Sequence, residues 1–172
     1  ALAVAGRKLT EAGVDVRDDA LPQAIVDNEA QALDRLLSHD MALHHGGDYD
    51  RHAEMMSDRV RDYIERGRKV TAAEYDAALG QRAEMADALD DWIGDRVLVM
   101  PATVGVAPLL VEGTGPREPQ RLWSLTGQPA MTVPVAQAQG LPVGVQVVAR
   151  RGGDRRVLAV VRHLYEATQA RP

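Results

Sequence analysis

Met131-Thr132-Val133-Pro134-Val135-Ala136-Gln137-Ala138-Gln139-Gly140-Leu141-Pro142-Val143-Gly144-Val145-Gln146-Val147-Val148 is the stretch that decides the fold. Two apolar runs, Met131 to Val135 and Val143 to Val148, carry the β-branched side chains that suit strands. The connection between them, Ala136 to Pro142, is too short for a crossover helix, so the pair reads as an antiparallel hairpin. Gly140 tolerates the positive φ that a tight reversal needs, and Pro142 fixes the start of the next strand. Gly144 leaves room for a second backbone to come close. Gln146 puts an amide inside an apolar strand and must find hydrogen-bond partners.

Upstream, Val97-Leu98-Val99-Met100 is a fully apolar run ended by Pro101, which predicts a buried strand. Residues 101–120 hold four Pro and three Gly and read as a long loop; long loops are uncommon in compact domains unless they serve a function. Downstream, Asp154 can cap a helix whose Val157, Val160, Leu164 and Ala167 face inward. The N-terminal half reads as helical. Leu2, Ala5, Leu9 and Ala12 recur at helical spacing before Gly13, and Val14-Asp15-Val16 alternates like a short strand. Pro22 can open a helix reaching about Leu43. His44 to Arg51 (HHGGDYDR) reads as a turn, and a third helix follows from about His52 to Arg66. Thr71-Ala72-Ala73-Glu74 is a capping box, and the helix behind it places Tyr75, Leu79, Met85, Leu89 and Trp92 on one face before Gly94 stops it.

The expectation is an α/β chain: a mixed sheet of a few strands covered by helices, chiefly 72–93 and 154–168. It is read as one domain over residues 1–172, in which residues 1–94 are helical and residues 95–172 supply strand, hairpin and helix. The chain has no Phe, so Val, Leu and Ala must fill the core, as in Val-rich buried sheets. The net charge of −5 argues against non-specific nucleic-acid binding. With no Cys, disulfides and thiolate chemistry are excluded. No apolar run is long enough to cross a bilayer, and Ala1 to Gly6 is too short for a signal-peptide core. A cytoplasmic location is the expectation.

Four pieces of this sequence carry a resemblance. Asp95-Arg96-Val97-Leu98-Val99-Met100-Pro101 with Ala107-Pro108 is one. Thr126-Gly127-Gln128-Pro129-Ala130-Met131-Thr132-Val133-Pro134 is the second. Gly140-Leu141-Pro142-Val143-Gly144-Val145-Gln146-Val147-Val148 is the third. Gly67 to Arg82 (GRKVTAAEYDAALGQR) is the fourth. In order and spacing they resemble the C-terminal portion of amidase-signature hydrolases, over nearly the whole chain. The resemblance implies an incomplete portion of that fold, from a parent that cleaves carboxylic amide C–N bonds with a nucleophilic Ser, a second Ser and a Lys base. It implies no cofactor and a small-molecule amide as the parent's substrate.

That catalytic set is not in this chain. Its only serines are Ser38, Ser57 and Ser124, none beside another, and its only lysines are Lys8 and Lys69. A nucleophile and its base must come within hydrogen-bond reach, and nothing in the sequence brings a pair together. The chain is therefore expected to be a C-terminal piece, inactive alone, that shapes the substrate cleft through the loop 101–119 and the turn 123–129. Trp123 is the one substrate-binding candidate, with packing under the loop as its alternative role. Stripped of sheet neighbours, such a piece is expected to self-associate or to pair with the missing N-terminal portion.

Two other classes compete. One is a non-catalytic binding or assembly module. The other is a metal-binding domain built on His39, His44, His45 and His52 among Asp40, Asp48, Asp50 and Glu54, since imidazole and carboxylate are metal ligands. A solvated helix end accounts for the same residues. The carboxylates Asp18-Asp19, Asp90-Asp91 and Glu112 suggest acid–base work of glycosidase type, but no aromatic platform accompanies them and they read as surface charges.

Overall fold

A computed structural model of the protein describes residues 1–169. The elements run α1 (Leu2–Glu11), α2 (Gln23–Val26), α3 (Glu29–His52), α4 (Asp58–Gly67), α5 (Ala72–Ile93), β1 (Leu98–Pro101), α6 (Glu118–Thr126), β2 (Ala130–Ala138), β3 (Leu141–Val148) and α7 (Asp154–Gln169). They divide into two compact units. One comprises Ala1–Pro22 with Ala86–Pro172, and the other Gln23–Met85. The division falls inside α5, which begins in one unit and ends in the other.

In the first unit the strand order is β1-β3-β2. The hairpin forms, and it is tighter than its sequence suggests. Ala138 pairs with Leu141, so only Gln139 and Gly140 turn the chain. Both have positive φ, 54° and 76°, as a two-residue type I′ turn requires. The α/β layering is as expected, but both pairings are antiparallel among the described residues. β1 and β2 run the same way; β3 lies between them, so no parallel pair of the kind a mixed sheet contains is made. The register slips between Pro134 and Ala136, a bulge that lets the ladder pass a proline with no N–H to give. Gly144 faces Pro134 there. A Cβ on it would lie 2.9 Å from the Val133 carbonyl oxygen, so the approaching backbone is that of β2.

One face of the sheet carries Val133, Val135, Val145 and Val147. It packs against Ala5 and Leu9 of α1 and Val157 and Leu164 of α7. The helix 72–93, expected to share this cover, contributes no residue to that cluster; α1 folds back to take the place. Lys8 donates to the Ala167 carbonyl at 2.5 Å, satisfying a carbonyl near the end of α7 and tying the two covering helices together. Val14 and Val16 form no strand. Both are about half exposed, and with no partner edge beside them alternation alone cannot hold a β conformation.

The second unit is helical. The capping box forms as its sequence implies. The Thr71 N–H and hydroxyl donate to Glu74 Oε2 at 3.0 and 2.9 Å, and the Glu74 N–H donates to Thr71 Oγ1 at 3.3 Å. Two expectations fail here. The helix from Pro22 breaks after Val26, and α3 then runs on through His44, His45, Gly46 and Gly47 to His52. Gly46 is buried, and its carbonyl accepts from Arg68 at 3.1 Å. Tertiary contact holds helical two residues that would break an isolated helix. The chain instead breaks at Ala53–Met56, and Ser57 caps α4 by accepting from the Val60 N–H at 3.4 Å.

α3 and α4 cross at close range. A Cβ on Gly67 would fall 1.8 Å from the Ser38 carbonyl oxygen and 2.9 Å from Ala42 Cβ. Around the crossing, Arg66 reaches Asp34 at 2.5 Å and Asp62 at 2.9 Å, Arg68 reaches Asp50 at 2.7 Å, and the Tyr49 hydroxyl donates to Glu65 at 2.6 Å.

Candidate functional site

The sheet of the first unit has a second face. Thr132 and Gln146 stand opposite each other in the β2–β3 register and so share it. α6 lies over this face, tied down by Gln146, which is 3% exposed. Its amide nitrogen donates to the Pro119 carbonyl and, at 3.4 Å, to the Pro101 carbonyl. The Ala102 N–H donates to the Gly144 carbonyl at 3.3 Å, and Gln120 donates to the Ala102 carbonyl. These bonds clamp both feet of the long loop. The amide that the sequence required to find partners finds them in the two prolines that begin and end the excursion.

The loop is shorter than its Pro and Gly content suggests, because residues 118–126 are the helix α6. Pro119 sits in its first turn, where a missing N–H costs nothing. Gly127 ends it with φ 79°, its N–H donating to the Trp123 carbonyl at 3.0 Å. The stretch 123–129, expected to be a turn, is thus mostly the last helical turn and its cap. Between the feet, Leu109, Leu110 and Val111 are exposed, Leu110 at 95%.

Between α6 and the strands lies a hollow of about 320 Å³. Gln120, Trp123 and Ser124 line it from the helix, and Ala130, Thr132 and Gln146 from the sheet. Gln128 lines it from the link between them. Trp123 is 4% exposed. It packs, the alternative role its sequence allowed, and it also borders the hollow. Gln128 is 5% exposed and fully used: it accepts from the Thr126 hydroxyl and donates to the Ala86 carbonyl and to Asp90 Oδ1, both at 3.3 Å.

Asp90, one of the paired carboxylates, is a clamp. It accepts from the Arg151 backbone N–H at 2.8 Å and from Arg151 Nε at 2.6 Å. Burial pushes its carboxyl up, but the bonds from the Arg151 backbone, the Arg151 guanidinium and the Gln128 amide outweigh that and hold it below the usual carboxylate range. A folded value below the unfolded one adds stability above about pH 4 that is lost as acid protonates the folded carboxyl. Acid titration followed by circular dichroism should show Asp90→Asn less stable than the unsubstituted chain at pH 7 and the difference shrinking below about pH 4. An unchanging difference would contradict the clamp. Asp19 pairs with Arg96 at 2.8 Å, and Glu112 accepts from the Leu109 N–H at 3.2 Å.

The remaining candidates are dispersed. Ser57 caps α4, Ser38 is 1% exposed at the helix crossing, and Ser124 borders the hollow under α6. Lys8 is bound to Ala167, and Lys69 is exposed. The four histidines ride along α3. His39 bonds to Asp40 at 3.2 Å and stacks on Tyr75 at 3.9 Å, while His44 and His45 are exposed. Among the described residues no three His, Asp or Glu side chains are placed to share a metal ion. No helix of the described residues is long and apolar enough to cross a membrane.

This fold is shared with enzymes of known structure. A crystal structure of an amidase superposes over 95% of the chain with a TM-score of 0.81 and 27% identity. 6-Aminohexanoate cyclic dimer hydrolase shares the fold at a TM-score of 0.73 and 21% identity over 97% of the chain. The chain belongs to the Amidase family, whose model matches residues 5–158. It is similar to a subunit of the glutamyl-tRNA(Gln) amidotransferase of Cenarchaeum symbiosum (strain A), 31% identical over 104 residues, which are 55% of this chain and 22% of the relative. It is also similar to Amidase 1 of Oryza sativa subsp. japonica, 29% identical over 120 residues, 64% of this chain and 27% of the relative. The chain spans 40% of each of the two solved structures and about a quarter of the curated relatives.

Proposed function

We propose that this chain forms the substrate-facing, non-catalytic portion of an amide hydrolase. In this reading the nucleophilic Ser, the second Ser and the Lys base come from the portion of the family fold that lies outside it. The observation that carries the reading is the use already made of its own hydroxyls and amines. Ser57 is a cap, Ser38 is sealed in a helix crossing, and Lys8 is held by a carbonyl. Ser124 is left bordering a hollow that no lysine lines. A serine without a base is a poor nucleophile at neutral pH. The purified chain should not turn over simple aryl amides or aryl esters. Turnover that Ser124→Ala abolishes would overturn the reading.

The partner is then a small-molecule amide in the whole enzyme, and the location a cytoplasm, which the absence of Cys suits. β2 stands at one edge of the sheet with Met131 at 39% exposure and no charged side chain along it. Such an edge invites pairing with another strand. Light scattering across a dilution series should show association of the chain with itself; a monomer at high concentration would contradict this.

A further inference from the structure

The loop between β1 and α6 holds three large aliphatic side chains in water. Leu109, Leu110 and Val111 are 69, 95 and 92% exposed. Single exposed apolar residues are ordinary, but three in a row at one loop tip make a contiguous patch, and such a patch marks a contact surface. The tip is a built piece. The Glu112 N–H donates to the Leu109 carbonyl at 2.9 Å, and Glu112 Oε2 accepts from the Leu109 N–H at 3.2 Å. Below this turn the two limbs of the loop touch: a Cβ on Gly115 would lie 3.7 Å from Pro108 Cγ. Residues 108–115 are therefore able to move together. Gly105, with φ 95°, lies on the limb leading in, and Gly115, with φ 75°, on the limb leading out. Small residues at both roots let the piece swing.

What covers the patch follows from where the loop is rooted. Its roots are bonded to two side chains that line the hollow under α6. Gln120 donates to the Ala102 carbonyl, and Gln146 donates to the Pro101 and Pro119 carbonyls. The stretch from Ala102 to Leu109 reaches up to about 23 Å when extended, enough to lay the turn across a hollow of about 320 Å³. Trp123 and Ala130 give that hollow apolar lining. A patch tethered beside it meets it at an effective concentration of about a millimolar, which a separate molecule at micromolar concentration does not match.

We propose that residues 108–115 are a lid: the loop swings at Gly105 and Gly115 so that Leu109, Leu110 and Val111 close over the hollow under α6. In the structure the lid stands open, with Leu110 in water. Closure is driven by the aliphatic side chains and the apolar lining leaving water together. A closed lid excludes water and governs entry to the hollow. The inference goes beyond the hydrolase reading and does not rest on it.

The chain has no Cys, so Thr114→Cys, at an exposed position, gives one attachment point for a nitroxide on the lid. Its relaxation effect is read in the ¹⁵N-labelled chain on the backbone amides of Ser124 and Thr132, which border the hollow. The comparison is the same spin-labelled chain carrying Leu109→Ser, Leu110→Ser and Val111→Ser together. These side chains stand in water, so the substitutions leave the fold intact and remove only the apolar drive to close. Relaxation enhancement at Ser124 and Thr132 should be at least about twofold greater with the aliphatic lid than with the serine lid, because it grows with the closed population. Equal enhancement in the two chains would overturn the lid. So would enhancement found in full on ¹⁵N chains without nitroxide when they are mixed with nitroxide-bearing chains of natural nitrogen; that result would give the patch to a second copy of the chain. The measurement needs no turnover. Amide turnover by the purified chain would remove the hydrolase reading and leave the lid standing, and equal enhancement would remove the lid alone.

Discussion

Gly67→Ala should unfold the helical unit 23–85 or cost it at least about 3 kcal/mol, one of the largest effects expected of a single methyl group. The added Cβ would sit 1.8 Å from one backbone oxygen and 2.4 Å from the carbonyl carbon behind it, both of Ser38. Neither atom can swing aside as a flexible side chain would. α4 must move off α3, and the bonds that ring the crossing, Arg66 to Asp34 and Tyr49 to Glu65, must stretch with it. Ala has the better helix propensity, worth about 1 kcal/mol in an exposed helix, so the sign of the change decides between propensity and contact. Urea denaturation followed by circular dichroism reads the answer. A variant as stable as the unsubstituted chain would mean that the helices do not meet at Gly67.

The second large effect belongs to the sheet unit. Leu164 is fully buried beneath β2 and β3, in one cluster with Val133, Val145, Val147 and Leu9. Leu164→Ala removes three carbons from a site enclosed by strands on one side and α1 on the other, so the cavity cannot collapse easily. The cost should be about 2–5 kcal/mol. With no Phe in the chain, neighbouring aliphatic side chains have little bulk to offer in repair. Chemical denaturation monitored by backbone amide exchange in Val145 to Val148 reads this unit separately. A loss below about 1 kcal/mol would place α7 off the sheet.

What could be read from the sequence was what local chemistry settles. The hairpin was legible because its two valine-rich runs allow no other connection, and the capping box because Thr71 and Glu74 satisfy each other across three residues. The need of Gln146 for partners was legible too, although not their identity. The errors lie where distant contacts override local preference. Gly46 and Gly47 look like a break and are helical because Arg68 closes on Gly46. Pro119 looks like loop and opens α6. Val14 and Val16 alternate like a strand, but no neighbouring edge receives them. In the candidate site, Trp123 stood out as the one large aromatic near the loops. Its companions Ser124, Thr132 and Gln120 did not, because the hollow depends on α6 being a helix; the signal that would have found them is Pro119 at a helix start with Gly127 nine residues after Glu118.

The central claim is that this chain contributes the wall of an amide-hydrolysing site and none of its nucleophile. The most direct measurement is intact-mass spectrometry after exposure to an aryl fluorophosphonate, which labels activated serines. The account predicts no adduct on Ser38, Ser57 or Ser124 in the folded chain. A stoichiometric adduct on any of the three, formed by the folded protein and not by protein denatured before exposure, would contradict it.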